Sequence, residues 1–331
     1  MLCAGVVHPH YVNLLRKPFG FLFCCHIWER GIFLKRSKLF LPIFLIMLIL
    51  PVTAWASPKR IISMTPVGTE ILFALGQGDN IIGVTNFCDY PPEANKKPKM
   101  GDFAALNFES LMAMKTDLLL LQDMHMQFTP QLDRLKIPYI VMKQNTIDEI
   151  CDSITRLGKI CSAQDKAQKL VSGILADVKM VTSKVKGLNK PKVLLCVSRE
   201  LSEKQINSFY VAGNNNFYGE MIALAGGENA VTEKKISYPQ VSLEGLMTIN
   251  PNVIIDLVGD KTFYHSKDKI DVDTIFNEKY LKGQWQRSAK VDAVNKGRIY
   301  IMQGTVYLRP GARSGMILKA FAKAIHPEVK W

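Results

Sequence analysis

Seven short runs rich in Ile, Val and Leu constrain the fold of this chain more than any other feature. They lie at residues 60–64, 81–85, 118–122 and 139–143 in the first half, and at 192–197, 253–258 and 298–302 in the second. Runs that are apolar on both faces and alternate with helical stretches are typical of parallel strands buried between helices. The sequence therefore predicts an α/β protein with two lobes, each with a central, parallel-rich sheet flanked by helices.

One long helix is predicted between the two sets of strands. Residues 164–186 contain one Gly and no Pro, and apolar side chains recur at steps of three and four: Ala167, Leu170, Ile174, Val178, Val181 and Val185. This spacing places them on one face of a helix of about six turns. We therefore predict an N-terminal lobe at 57–163, a linking helix at 164–187 and a C-terminal lobe at 188–331.

The first 56 residues have the pattern of a secretory signal. Three basic residues within 35–38 precede an apolar run at 39–52, and Ala54 and Ala56 are the small residues that a signal peptidase reads. The run is shorter than the ~20 residues that a membrane-spanning helix needs. We expect cleavage before Ser57 and export to the periplasm of a Gram-negative cell.

The signal peptide accordingly occupies residues 35–56, and residues 1–34 form an extension outside the mature fold. Removing residues 1–56 takes out six basic residues and one acidic residue, so the net charge falls from +13 to +8. The remaining charges are dispersed, and an exported protein does not meet nucleic acid. We expect a monomer with no nucleic-acid partner.

Four cysteines remain in the mature chain, at positions 88, 151, 161 and 196. The periplasm would permit disulfides. The spacings match no metal motif, however, and they define no unique pairing. Buried free thiols are therefore expected.

A segment of the N-terminal lobe is repeated in the C-terminal lobe. Residues 107–119 align without gaps on residues 242–254, and each segment reads as a capped helix, a turn and a buried strand. Glu109 and Glu244 lie just inside the two helices, behind the N-caps Asn107 and Ser242. The alignment indicates one structural unit used in both lobes.

The order of several short motifs resembles the family of periplasmic binding proteins for iron complexes and vitamin B12. The motifs include Thr69-Glu70, Asp89-Tyr90-Pro91-Pro92, Asn107-Phe108-Glu109, Gly226-Gly227-Glu228-Asn229 and Arg309-Pro310-Gly311. The likeness covers essentially the whole mature chain and is closest to the vitamin B12-binding member. It implies a cargo cleft between two lobes and a single long helix that limits hinge motion.

The resemblance also implies a partner, the permease of an ABC importer together with its ATPase in the inner membrane. By this likeness Glu109 and Glu244 dock the loaded protein on the permease. A carboxylate at this position also complements the positive end of its helix, which contributes ~0.3–1 kcal/mol. Both roles are compatible, and the matched placement on two lobes favours docking.

Three aromatic positions suggest cobalamin or a related corrinoid as the cargo. Tyr90, Phe103 and Tyr238 occupy places that are aromatic in the vitamin B12-binding member, although Trp is expected there at the second and third. Phe103 and Tyr238 each lie six residues before a docking glutamate. Aromatic faces from opposite lobes could hold a flat macrocycle between them.

A ferric siderophore or haem is the alternative cargo. His125 follows a predicted strand, where it could ligate iron or cobalt, and Tyr264 and His265 form a similar pair. Arg309 and Arg313 could meet carboxylate or phosphate groups of a ligand, or they could lie in a solvated turn. In either case we expect no intrinsic cofactor and a cargo that is a metal-containing tetrapyrrole or chelate.

Other functional classes receive less support from the sequence. Three His in the mature chain are too few for a carrier of free divalent metal ions. The chain lacks a nucleophile elbow, a His-Glu-x-x-His helix and a phosphate-binding loop, so nothing calls for an exported enzyme. A ligand sensor would differ from an importer component in its genomic neighbours.

Overall fold

The structure is a computed structural model, and it describes residues 57–102, 106–233, 235–261 and 272–331. The predicted extension, the signal peptide, Phe103, Tyr264 and His265 lie outside these residues. In the described part of the chain, no helix is both long enough and apolar enough to cross a membrane.

The N-terminal lobe is built on four parallel strands in the order β2-β1-β3-β4. They are β1 (Ile61–Ser63), β2 (Ile81–Val84), β3 (Leu118–Gln122) and β4 (Tyr139–Met142). All of β1 and the four leucines of β3 are buried. This is the burial expected of strands that are covered by helices on both faces.

Four helices and three short 3₁₀ segments lie between or after these strands in the described residues. The helices are α1 (Pro66–Ala74), α2 (Phe108–Ala113), α3 (Thr129–Leu135) and α4 (Ile147–Ile160), and the 3₁₀ segments are Gly78–Asn80, Pro92–Lys96 and Asp123–Phe128. In α4, Ile147, Ile150, Ile154 and Leu157 are buried at steps of three and four, which gives the helix one apolar face.

The C-terminal lobe contains a mixed six-stranded sheet. Its strands are β5 (Lys192–Arg199), β6 (Ser208–Val211), β7 (Glu228–Asn229), β8 (Gln240–Ser242), β9 (Val253–Val258) and β10 (Ile299–Gln303). Strands β10, β9, β5 and β7 are parallel, whereas β6 and β8 extend one edge in antiparallel pairs. Strands β6, β7 and β8 were not predicted, because they lack the continuous apolar pattern of the other seven.

Six helices lie in the described residues of this lobe. They are α6 (Phe217–Leu224), α7 (Leu243–Ile249), α8 (Val272–Ile275), α9 (Glu278–Ser288), α10 (Asp292–Asn295) and α11 (Ser314–Ile325), and a 3₁₀ turn spans Thr305–Leu308. Trp285 of α9 is fully buried and packs edge-on against Phe209 of β6, with ring centroids 5.1 Å apart.

A 22-residue helix between α4 and β5, α5 (Gln164–Val185), joins the two lobes. At 1.5 Å per residue it is roughly 33 Å long. It packs against α4 on one side and α11 on the other. Ala167, Ile174, Val181 and Val185 are buried on its apolar face, so the face that the sequence predicted is the one that the fold covers.

The sequence repeat has a counterpart in the backbone. Helices α2 and α7 begin at equivalent positions of the repeat, as do strands β3 and β9. The turn of each unit contains a residue with left-handed backbone at the same place, Lys115 (φ 46°) and Asn250 (φ 44°). A left-handed residue ends a helix and redirects the chain. Both lobes therefore use the same helix–turn–strand unit.

The residues that directly precede β3 and β9 also make equivalent hydrogen bonds in the two units. Asp117 accepts hydrogen bonds from the backbone N–H groups of Lys59 and Arg60, at 2.8 and 3.0 Å. Its counterpart Asn252 accepts one from the backbone N–H of Lys192, at 2.9 Å. In each lobe, a side chain that precedes one strand thus anchors the start of the neighbouring strand.

Candidate ligand-binding cleft

A cavity of about 380 Å³ lies between the two lobes. The N-terminal lobe contributes Pro66, Val67, Phe87, Gln122 and Gln144 to its wall, and the C-terminal lobe contributes Leu201, Gly259, Asp260, Phe276, Thr305, Leu308 and Arg309. This volume is within the range of small-molecule sites.

The cavity is positioned by the carboxyl ends of the parallel strands. Gln122 is the last residue of β3, and Gln144 follows β4 by two residues. Leu201 and Gly259 follow β5 and β9 in the other lobe. Ligands of open α/β sheets bind outside the carboxyl ends of the strands. Here two sheets direct those ends at one cleft.

Apolar surface and two carboxamides characterise the wall. Phe87 and Phe276 come from opposite lobes, and Leu308 is 37% exposed. The Oε1 atom of Gln144 is buried and has no hydrogen-bond partner among the described residues. An unsatisfied buried acceptor is unfavourable, so this amide is held there at a cost in stability.

Arg309 lies in the cavity wall, yet its guanidinium is engaged by the protein itself. It donates one hydrogen bond to the carboxylate of Asp89 and another to the backbone oxygen of Phe87, at 2.8 Å. The carboxylate of Glu70 lies 3.5 Å from the same guanidinium. Two acidic groups of the N-terminal lobe therefore neutralise a cation of the C-terminal lobe.

Arg313 makes a second connection between the lobes. Its Nε and Nη2 atoms donate to the two carboxylate oxygens of Glu70, at 2.9 and 2.6 Å. Burial raises the pKa of the Glu70 carboxyl, and the two guanidiniums oppose that shift. The Arg313 guanidinium also lies over the ring of Tyr90, 3.8 Å from its centroid, which is cation–π geometry.

The two predicted aromatic residues that the structure describes, Tyr90 and Tyr238, are not among the residues that line the cavity. Tyr90 is 43% exposed beneath Arg313. Tyr238 is also 43% exposed and meets the ring of Tyr218 edge-on, with centroids 6.4 Å apart. The hydroxyl of Tyr218 donates to the backbone oxygen of Tyr307, within the 3₁₀ turn that lines the cleft. Phe103 lies outside the described residues.

His125 faces the interior of the N-terminal lobe. Its side chain is fully buried, and its Nδ1 atom accepts a hydrogen bond from the backbone N–H of Gln122, at 3.1 Å. The ring lies 6.5 Å from that of Phe128. This placement makes His125 a cap of the Asp123–Phe128 turn, and it gives no support to the metal ligation that we considered.

No other group in the described part of the chain forms a metal site, since no three His, Cys, Asp or Glu side chains converge there. The four described cysteines are buried and form no disulfide with one another. Burial raises the pKa of the Cys161 thiol to about 12, so that this thiol stays protonated near neutral pH.

Glu109 and Glu244 are exposed in the first turns of α2 and α7. The N-cap side chains Asn107 and Ser242 accept hydrogen bonds from the N–H groups three residues on, at 2.9 and 3.2 Å. One turn after each glutamate comes an exposed methionine, Met112 at 56% and Met247 at 51%. Each lobe thus presents a carboxylate and a thioether at equivalent positions.

Sequence reasoning missed the cleft residues that carry no conspicuous motif. Gln122, Gln144 and Gly259 could have been found, because each ends or follows a predicted strand. Phe276 and the ion pairs of Arg309 had no comparable signal, since their partners are distant in the chain.

Comparisons with known proteins agree with this architecture. Residues 61–305 match the model of the family described as periplasmic binding protein. An uncharacterized ABC transporter substrate-binding lipoprotein of Bacillus subtilis is 27% identical over 285 residues, 84% of this chain and 83% of the relative. The vitamin B12-binding protein of Vibrio parahaemolyticus is 30% identical over 224 residues, 67% of this chain and 78% of the relative.

Solved structures show the same fold. The periplasmic vitamin B12 binding protein of Vibrio cholerae superposes with a TM-score of 0.66 at 21% identity, covering 82% of this chain and 98% of that one. The apo haem-binding protein of Roseiflexus sp. RS-1 gives 0.65 at 22%, covering 81% and 98%.

Fold and cleft together define an extracytoplasmic substrate-binding protein of the ABC-transporter class, with a small-molecule cargo, and not an enzyme. The chain belongs to the periplasmic binding protein family. The predicted α/β architecture of two lobes on a single long helix is confirmed.

Proposed function

We propose that this protein captures cobalamin or a related corrinoid in the interlobe cleft and delivers it to the permease of an ABC importer. In this proposal the signal peptide is cleaved, and the mature chain acts in the periplasm as a monomer without a resident cofactor. The permease and its ATPase reside in the inner membrane.

The observation that carries the proposal is the lining of the cleft. Corrin rings combine broad apolar faces with carboxamide groups around the edge. The cleft offers Phe87 and Phe276 from opposite lobes, and the carboxamides of Gln122 and Gln144 at the strand ends. Aromatic side chains bury large areas with little loss of rotamer freedom, and amides can both donate and accept hydrogen bonds. The lining therefore matches both parts of such a ligand.

The names of relatives support the same cargo. Vitamin B12-binding proteins of Salmonella and Vibrio species match two thirds of the chain at 28–30% identity. Tyr90 and Tyr238 contribute in this proposal by flanking the cleft, where a ligand larger than the cavity would reach them. His125 and Arg309 are not assigned contacts with the cargo, because the first is buried and the second is engaged by acidic groups.

Delivery is proposed to use Glu109 and Glu244, which would pair with cations of the permease by charge-assisted hydrogen bonds. Met112 and Met247 add an apolar contact beside each carboxylate. The duplicated unit supports this role, because a partner with two equivalent subunits would meet the same pair of groups on each lobe.

An absorbance titration of the purified mature protein tests the cargo. Cyanocobalamin and cobinamide are expected to bind with shifted corrin bands, and haemin and ferric siderophores are expected to bind at least tenfold more weakly, about 1.4 kcal/mol. Failure of both corrinoids together with a shifted Soret band for haemin would replace the corrinoid assignment by the haem alternative.

A further inference from the structure

The charge of the cleft wall is set by an internal ion cluster. Among the described residues that line the cavity, Arg309 supplies the positive charge and Asp260 the negative one. An arginine in a cleft normally binds a carboxylate of the ligand, because its planar fork matches that group. Arg309 is instead paired within the chain, and this pairing is the basis of the inference.

Four charged groups form the cluster, namely Arg309, Arg313, Glu70 and Asp89. Two guanidiniums of the C-terminal lobe face two carboxylates of the N-terminal lobe, so their formal charges cancel. The Arg309, Glu70 and Asp89 side chains are 8%, 2% and 19% exposed. The cluster is therefore largely shielded from water, where pairing between charges is stronger than at a solvated surface.

Asp89 is the member of the cluster that blocks the cleft arginine. It accepts a hydrogen bond from Arg309, and the hydroxyl of Thr305, another cleft residue, donates to its second oxygen at 3.4 Å. A ligand carboxylate that approached Arg309 would have to displace an acid that is already held in place. It would also come close to Glu70 as a further negative charge, which is unfavourable in a partly buried site.

We infer that Asp89 determines the specificity of the cleft by occupying Arg309, and that it selects a macrocycle bordered by uncharged amides over one bordered by carboxylates. The neutral carboxamides of Gln122 and Gln144 are further polar groups in the cavity wall. The inference rests on the proposed corrinoid function and names the chemical feature of the cargo that the cleft distinguishes.

The test uses two corrins that share one ring. Dicyanocobinamide has amides at its edge, and dicyanocobyrinic acid has carboxylates at the same positions. Wild-type protein is expected to bind the amide corrin at least tenfold more tightly. Asp89→Asn removes one of the two negative charges beside Arg309 and leaves Glu70 as the other, which should reduce this preference by about tenfold, as expected for one charge-assisted contact. The double variant D89N/R309Q lacks the cation as well and should return the preference to the wild-type value.

The outcomes distinguish failure of the inference from failure of the proposed function on which it rests. If the wild type binds neither corrin, the proposed function fails. If it binds the amide corrin but D89N leaves the preference for that corrin unchanged, the function stands and the inference is overturned. The same conclusion follows if D89N/R309Q keeps the reduced preference of D89N. Circular dichroism shows whether each variant folds. If D89N does not fold, the wild-type preference decides alone, and equal or tighter binding of the carboxylate corrin overturns the inference.

Discussion

Arg313, at the N-cap of α11, donates two parallel hydrogen bonds to Glu70 of α1, at 2.9 and 2.6 Å. The carboxylate belongs to the N-terminal lobe and is almost fully buried, whereas the guanidinium precedes α11 in the C-terminal lobe. Because Arg309 approaches the same carboxylate, one acidic group holds two cations across the lobe interface.

Replacing this acid should destabilise the fold. Glu70→Gln leaves two guanidiniums with one carboxylate between them, and breaking a buried pair costs about 3 kcal/mol. Urea unfolding followed by circular dichroism measures the loss. The matched control is Asp152→Asn, which breaks an exposed pair with Arg156 at 3.8 Å and should cost below ~0.5 kcal/mol. Equal effects of the two changes would contradict the structural role of Glu70.

A second contact between the lobes should depend on pH. Glu220 of α6 accepts a hydrogen bond from the backbone N–H of Ile147, at 2.7 Å, and thereby caps α4. Burial raises the pKa of the Glu220 carboxyl above its ordinary value of 4.5; the bond from Ile147 opposes the shift, and the nearby charges of Asp148 and Glu149 add to it. The folded state therefore binds this proton more readily than the unfolded state.

The sign of the effect follows from linkage. With a raised pKa in the folded state, the contribution of Glu220 to stability decreases as the pH rises from the ordinary carboxyl value through the raised one. Glu220→Gln keeps an acceptor oxygen but does not titrate. The free energy of unfolding of the wild type, relative to E220Q, should be larger at about pH 5 than at about pH 7. A smaller difference at the lower pH would show that the pKa is not raised.

Docking can be separated from cargo binding by charge reversal. Glu109→Lys combined with Glu244→Lys should abolish uptake in cells, while corrinoid titration of the purified protein stays unchanged. The matched control reverses Asp148 and Glu278, exposed acids in the first turns of α4 and α9. This control should retain uptake. Uptake that survives the first pair of changes would exclude the docking role.

The exposed methionines give a prediction about the same surface. Met112→Ser with Met247→Ser should reduce uptake without changing cargo affinity, because both side chains lie beside the proposed docking carboxylates. Since both are more than half exposed, the change in stability should stay within about 0.5 kcal/mol. The control is Leu175→Ser on the linking helix, where a side chain that is 45% exposed should not affect uptake.

The buried ion pair of the C-terminal lobe depends on an indole. Trp285 donates from Nε1 to Asp256 at 2.8 Å, and Arg199 donates to the same carboxylate oxygen from Nε, at 2.9 Å. Trp285→Phe removes a donor from a fully buried charge and should cost about 3 kcal/mol in urea unfolding. Tyr210→Phe, at a side chain that is 46% exposed, should change stability by less than about 0.5 kcal/mol.

Local patterns were sufficient for seven of the ten described strands, for the linking helix and for the repeated unit. The apolar runs at 118–122 and 253–258 became β3 and β9, and the helical spacing from residue 164 became α5. These elements depend on the periodicity of neighbouring residues, which a sequence displays directly. The exposed acids Glu109 and Glu244 could be located for the same reason, since a capped first turn is a local feature.

The sequence did not predict the partners of the candidate site residues. His125 follows a strand that points at the cleft, yet its ring turns inward and accepts a bond from Gln122. The sequence suggests that Arg309 is a cation open to a ligand, yet it pairs with Asp89, 220 residues away. Sequence spacing carries no information about such partners, because they meet only when two lobes pack.

The amino-acid sequence by itself determined the α/β class, the two lobes, the linking helix and the duplicated helix–turn–strand unit, because hydrophobic periodicity and capping act between near neighbours in the chain. Only the tertiary structure decided which charges face the cleft. That outcome depends on long-range ion pairs and on burial, and these place Glu70 and Asp89 against Arg309 and leave amides and aromatic rings in the cavity wall.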